Sequence, residues 1–101
     1  MSGIDELWIL VRKVPRGRVV GYGTLGRALP NPVSGLIVGK WMARAPEDVP
    51  WWRVVAFDGR LPVYKRDPGL AQTQTARLRS EGVAFLDDGR VDMSFAWEPE
   101  T

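Results

Sequence analysis

The 101 residues are 45% apolar and 26% charged with a formal net charge of +2, which describes one small domain near the lower size limit for an independent hydrophobic core. There is no Cys and no His, so disulfides, thiolate nucleophiles and the commonest zinc ligands are excluded, and neither a metal nor a cofactor is expected. No apolar run approaches the ~20 residues of a membrane span, and the first residues lack a basic start ahead of an apolar core, so a cytoplasmic protein without secretory signal or membrane partner is expected.

Residues 3–14 predict a helix. Leu7, Leu10 and Val11 recur at helical spacing beside Trp8, Asp5 and Glu6 occupy the first turn, and Pro15 and Gly17 end it. Arg18-Val19-Val20 reads as a short extended piece, and Thr24 is placed to cap a brief helix carrying Leu25 and Ala28. Past Pro30, Asn31 can cap, and Pro32 can open, a helix over roughly 33–45. There Val33, Ile37, Val38, Trp41 and Met42 form an apolar stripe, leaving Gly35, Leu36, Gly39, Lys40, Ala43 and Arg44 outward. The two glycines cost helix stability but allow another backbone to come close. Two short helices with a tight turn, the second presenting small and basic residues, read as a helix-turn-helix. A helical pair that only packs on a core fits the same pattern.

Residues 45–50 form a proline-bounded loop. Trp52 to Phe57 predicts a strand with Trp51 and Trp52 alternating at its start, Asp58-Gly59 a tight turn, and Leu61 to Tyr64 a segment able to pair back. Asp67-Pro68 starts a last helix over about 69–80, with Gly82 just past its end. Val83 to Leu86 and Val91 to Met93, around Asp87-Asp88-Gly89, read as a hairpin, and residues 98–101 as a frayed end. Asp87 and Asp88 are turn residues on this reading, and Trp8, Trp41 and Trp97 are packing residues. Thirteen of the fourteen Lys and Arg fall in residues 1–80 against six of the twelve acids, while 81–101 hold one Arg and six acids. That asymmetry favours a polyanionic partner such as nucleic acid; a solvated surface with an acidic tail is the other reading.

The hexapeptide Pro50-Trp51-Trp52-Arg53-Val54-Val55 resembles the Pro-Cys-His-Arg-Val active-site motif of the O6-alkylguanine-DNA alkyltransferases, with tryptophan at both the cysteine and the histidine positions. The likeness extends over nearly the whole chain. Val14 to Leu25 is similar to the family's "VP-G-V-YG-IA" segment; Asn31-Pro32 and Val38-Gly39 fit its helix-turn-helix; Asp58-Gly59, Tyr64, Leu78, Glu81-Gly82-Val83, Gly89-Arg90-Val91-Asp92 and Trp97 fit the remainder. It implies an α+β, mainly α fold, a single small domain over residues 1–101 with a helix-turn-helix, as in the C-terminal domain of those alkyltransferases. With no thiol to accept an alkyl group, it implies the non-enzymatic, alkyltransferase-like branch and no catalytic residues.

By the resemblance, Tyr22, Gly35, Leu36, Gly39, Lys40 and Arg44 would meet double-stranded DNA, Tyr22 pressing the target's 3′ phosphate and the recognition helix entering the minor groove. Met42, Trp51, Trp52, Val54 and Tyr64 would enclose a flipped O6-alkylguanine, and Pro50 and Arg53 would support the motif. The partners implied are the damaged duplex and nucleotide excision repair proteins, for a monomer. Three departures stand out. The family's arginine finger, two residues before the Val-Gly pair, is Leu36; its Asn-Pro hinge is Ala45-Pro46; its histidine is Trp52. Leucine can wedge between bases but cannot bond to the orphaned one. Two other readings stay open: a DNA-binding protein without lesion specificity, and a protein-interaction module on a degenerate alkyltransferase fold, with the paired tryptophans as its contact patch.

Overall fold

The computed structural model describes residues 2–99, apart from the side chains of Tyr64 and Lys65. Four α-helices carry the fold: α1 (Gly3–Arg12), α2 (Tyr22–Ala28), α3 (Gly35–Met42) and α4 (Pro68–Ser80). A minimal parallel sheet joins β1 (Val20–Gly21) to β2 (Val54–Val55), and 3-10 turns span Trp51–Arg53, Pro62–Lys65 and Met93–Phe95. The protein is mainly α, with a helix-turn-helix-type pair in α2 and α3.

The sheet divides two apolar cores. Successive strand residues point to opposite faces, so Val20 and Val54, paired across the sheet, enter one core with Leu7, Val11, Leu25 and Val38. Val19 and Val55 enter the other, with Leu78, Val83 and Val91. Parallel strands need a long crossover, and here that crossover holds the helical pair. Trp8 is buried and Trp41 and Trp97 pack against the first core.

Local chemistry explains the helix ends, and several differ from expectation. Ser2 caps α1, accepting the Asp5 N–H. Thr24 is not the cap of α2: the helix starts earlier, at Tyr22, from an extended Gly21, and the Thr24 hydroxyl instead accepts from Arg27. Asn31 and Pro32 do not open α3 either. Ser34 caps it, with its Oγ 3.3 Å from the Ile37 N–H, and the helix is eight residues long rather than thirteen. Asp67 caps α4 through the Gly69 N–H, with Pro68 in the first turn. Gly82, at φ +88°, ends it. Its N–H bonds to the Arg79 carbonyl and that of Val83 to the Leu78 carbonyl, the two bonds of a Schellman motif, with Leu78 and Val83 meeting in the second core.

The strand expected over Trp52 to Phe57 shortens to Val54–Val55, because Pro50 and the two bulky indoles take a 3-10 turn that sends the rings to different cores. Residues 61–64 do not pair back; they run through the Pro62–Lys65 turn, and Asp58-Gly59 closes through a bond from Ala56 N–H to the Arg60 carbonyl. The last hairpin is rudimentary, a single Phe85–Val91 bridge around Gly89. Of the expected frayed end, residues 100 and 101 lie outside the described residues. No described helix is long and apolar enough to cross a membrane.

Candidate nucleic-acid interface

The face of α3 turned to the core is set by three residues at i, i+3 and i+7. A Cβ at Gly35 would sit 3.1 Å from the Gly23 nitrogen of α2, so a larger residue there would push the two helices apart by a few tenths of an ångström, and Val38 and Met42 follow Gly35 inward. At Gly26 of α2 an added Cβ would collide with the Val33 carbonyl, which makes the turn between the helices equally tight. Ile37, expected in the apolar stripe, is therefore left 38% exposed, next to Leu36 at 73%. Nothing stands within 4 Å of a Cβ built on Gly39, so the surface of α3 there is open to an incoming backbone.

Beside this face lies a cavity of about 430 Å³, within the ordinary range for a small-molecule site, about 300–1,000 Å³. Helix α3 and the residue after it supply Gly35, Leu36, Gly39, Lys40, Met42 and Ala43; the start of α2 supplies Tyr22; the Trp51 turn and the following loop supply Trp51, Pro62, Val63 and Arg66; α4 supplies Gln74. Among the described residues, two cations, Lys40 and Arg66, and no carboxylate line it. Neither Lys40 nor Arg66 is in an ion pair among the described residues, so the cavity mouth suits an anion. Burial pushes the Tyr22 phenol above its ordinary pKa, with Arg66 acting the other way, so the hydroxyl stays a neutral donor at physiological pH.

Of the residues singled out from the sequence, Tyr22, Gly35, Leu36, Gly39, Lys40, Met42 and Trp51 border this cavity. Trp52 does not: its ring packs against the second core and its indole N–H donates to Glu81 at 2.9 Å. Nor does Val54, fully buried on the sheet. Arg44 is exposed but lies past the end of α3, outside the cavity lining. The Tyr64 side chain lies outside the described residues. Pro50 is buried beneath the Trp51 turn. Arg66, Pro62, Val63 and Gln74 were not singled out; Tyr64 carries the motif signal in that stretch, and these four residues carry none that would place them at a site.

The wall holding Trp51 rests on a polar hub that is also long-range. Arg53 grips Glu81 with two bonds, Nε to Oε1 at 3.0 Å and Nη2 to Oε2 at 2.8 Å, while its Nη1 reaches the Val14 carbonyl. Glu81 further accepts the Gly17 N–H and the Trp52 N–H. Burial alone would raise the Glu81 pKa, but the bonds from Arg53, Gly17 and Trp52 together outweigh it and lower the pKa from 4.5 to about 2. Around this hub Trp51 and Trp52 meet edge to face, with ring centroids 6.2 Å apart, and the Arg77 guanidinium lies 4.7 Å from the Trp52 ring and 5.8 Å from that of Trp51.

Residues 4–83 match the family described as 6-O-methylguanine DNA methyltransferase, DNA binding domain. A relative named DNA base-flipping protein, from Escherichia coli, is 31% identical over 96 residues, covering 92% of this chain and 72% of the other. A bifunctional methyltransferase/endonuclease from Thermoplasma volcanium is 35% identical over 86 residues, 83% of this chain but 26% of its own. Among solved structures, the crystal structure of S. pombe Atl1 in complex with damaged DNA containing O6-carboxymethylguanine superposes with a TM-score of 0.79 at 27% identity, over 95% of this chain and 94% of that one.

Proposed function

This chain belongs to the family of the 6-O-methylguanine DNA methyltransferase DNA-binding domain, as an alkyltransferase-like member, and we propose that it binds double-stranded DNA without chemistry, extrudes an O6-alkylguanine into the cavity beside α3 and presents the distorted site to excision repair. The observation that carries this reading is the cavity itself. It is base-sized, opens beside the exposed Leu36–Lys40 edge of the second helix of a helix-turn-helix, and is walled by the Trp51 indole, the residue that the motif resemblance aligns with the alkyl acceptor. In the pose proposed, α3 lies in the minor groove, Tyr22 donates to the target's phosphate, and Trp51 and Met42 form the wall against the alkyl group. Extrusion costs a few kcal/mol, and stacking on an aromatic wall returns about 1–3 kcal/mol.

The direct test is a titration of matched duplexes, with and without one O6-methylguanine, at two salt concentrations. Tighter binding to the modified duplex supports the reading; equal binding to both leaves a DNA-binding protein without lesion preference; binding indifferent to salt sinks both. Lys40→Gln and Arg44→Gln should each flatten the log–log salt slope by about 0.9 if each meets one phosphate.

No alkyl transfer is expected, because the resemblance puts Trp51 at the acceptor position and the chain has no thiol. Intact-protein mass spectrometry after incubation with O6-methylguanine DNA should show no added methyl, and the lesion should persist.

A further inference from the structure

Phe57 is the most exposed large apolar side chain among the described residues, at 87%, and at that exposure it adds little to the core. It sits on a braced turn. The Ala56 N–H donates to the Arg60 carbonyl, the Gly59 N–H to the Ala56 carbonyl and the Val91 N–H to the Gly59 carbonyl, while Asp58 accepts the Arg60 N–H. Gly59, at φ +87°, lies so close to Val91 that a Cβ there would collide with the Val91 carbonyl. The turn therefore holds the Phe57 backbone in a fixed place, and that place is the rim of the interface. β1 and β2 are parallel with Gly21 opposite Val55, so the two strands end side by side, one running into Tyr22 and the other into Ala56 and Phe57. A Cβ built on Gly21 would stand 3.8 Å from the Phe57 Cα, and Gly23, two residues on, packs against Gly35 of α3. The first turn of α2 thus joins Phe57, Tyr22 and the start of α3.

A duplex offers such a rim charged phosphates and, between them, less polar sugars. Phe57 does not suit a phosphate. The one cation of its turn, Arg60, is paired with Asp58 at 3.1 Å, so the turn presents an apolar ring without free charge. Resting on the reading that double-stranded DNA lies across Tyr22 and the Leu36 edge of α3, we infer that Phe57 is a sugar-reading contact, whose ring packs on the deoxyribose next to the phosphate that Tyr22 meets. The minor groove is where a 2′-hydroxyl is displayed. Pressed against a phenyl ring, that hydroxyl would lose water without gaining a partner. Phe57 therefore sets a preference for deoxyribose over ribose outside the cavity, independent of which base the cavity holds. The contact is apolar, so it is indifferent to salt.

The test titrates the unaltered protein and Phe57→Ser with two duplexes at several salt concentrations. One carries a single O6-methylguanine in all-deoxy DNA; the other has, in addition, one ribonucleotide as the 3′ neighbour of the lesion. Phe57→Ser should bind the all-deoxy duplex about three- to tenfold more weakly, the effect of losing part of a phenyl ring's apolar burial. Its log–log salt slope should be unchanged, since no phosphate contact is removed. The single 2′-hydroxyl should weaken the unaltered protein by a similar factor and leave Phe57→Ser, which has no ring to cover it, unaffected. Thermal unfolding of the two proteins should coincide, because the ring is exposed. Equal affinity of the two proteins for the all-deoxy duplex overturns the inference and leaves Phe57 free for a protein partner. A ribonucleotide penalty that Phe57→Ser keeps in full also overturns it. In both cases salt-dependent binding by the unaltered protein leaves the DNA reading standing. Binding by the unaltered protein that is indifferent to salt removes that reading and the inference with it.

Discussion

Replacing Glu81 with alanine is expected to cost about 3–5 kcal/mol of folding stability, the range for removing one partner of a buried ion pair and stranding the other. The side chains of Glu81 and Arg53 are 3% and 14% exposed. With the carboxylate gone, the guanidinium keeps the Val14 carbonyl alone, and the Gly17 and Trp52 N–H groups lose their acceptor. Since domains of this size hold only about 5–15 kcal/mol in total, thermal or urea unfolding of Glu81→Ala should move far from that of the unaltered chain. A shift below about 1 kcal/mol would mean the hub is wet enough for water to replace the carboxylate. Glu81→Gln, which keeps an acceptor but not the charge, should fall between the two.

The same carboxylate makes stability sensitive to acid. Its pKa is lower in the folded chain, about 2 against 4.5. Its contribution is thus complete above about pH 4.5 and is lost as the pH falls through 2. Asp88 and Asp92, lowered chiefly by the backbone N–H groups of Arg90 and Ser94, titrate in the same direction. The difference between the melting curves of the unaltered protein and Glu81→Gln, followed from pH 5 to 2, removes their share. That difference should shrink towards zero on acidification; a difference independent of pH would detach Glu81 from the effect.

What could and could not be read from the chain follows from the range over which each feature is decided. Asp67-Pro68 and Gly82 bound α4 correctly because capping and left-handed backbone are decided within a few residues. The helix-turn-helix was legible from spacing and from the resemblance together. The length of α3 was not, because Ser34 and Asn31 are both good caps by residue type, and the helix that packs Gly35 against Gly23 of α2 starts from Ser34. The two tryptophans are a sharper case. Nothing local separates Trp51 from Trp52; what does is Glu81, which bonds the Trp52 indole from 29 residues away and draws it off the cavity, leaving Trp51 on the wall. Gln74 was invisible for the same reason. Its partners are 20 and 22 residues distant, and a glutamine on a polar helix carries no sign that it will be buried.

Restoring an arginine at position 36 should tighten binding to an O6-alkylguanine duplex by about 1–3 kcal/mol relative to undamaged DNA, the discrimination one bidentate contact to a base supplies. Leu36 is 73% exposed at the rim of the cavity, one turn before Lys40, so in the proposed pose a side chain there would reach the gap that an extruded base leaves behind. A leucine fills such a gap with apolar surface but leaves the orphaned partner base without a hydrogen bond, whereas a guanidinium supplies both bulk and donors. Exposure also means that Leu36→Arg removes almost no core packing, and unfolding should be unaffected. Part of any gain would be attraction to phosphate, which is independent of damage and shows in the undamaged duplex as a salt slope steeper by about 0.9. The informative quantity is therefore the ratio of the two affinities. An equal gain for both duplexes would take position 36 away from the extruded base. A loss confined to the damaged duplex would show that leucine, with Ile37 exposed beside it, is a wedge suited to this protein's own substrate, and that an apolar edge of α3 holds the stack open where relatives use a charge.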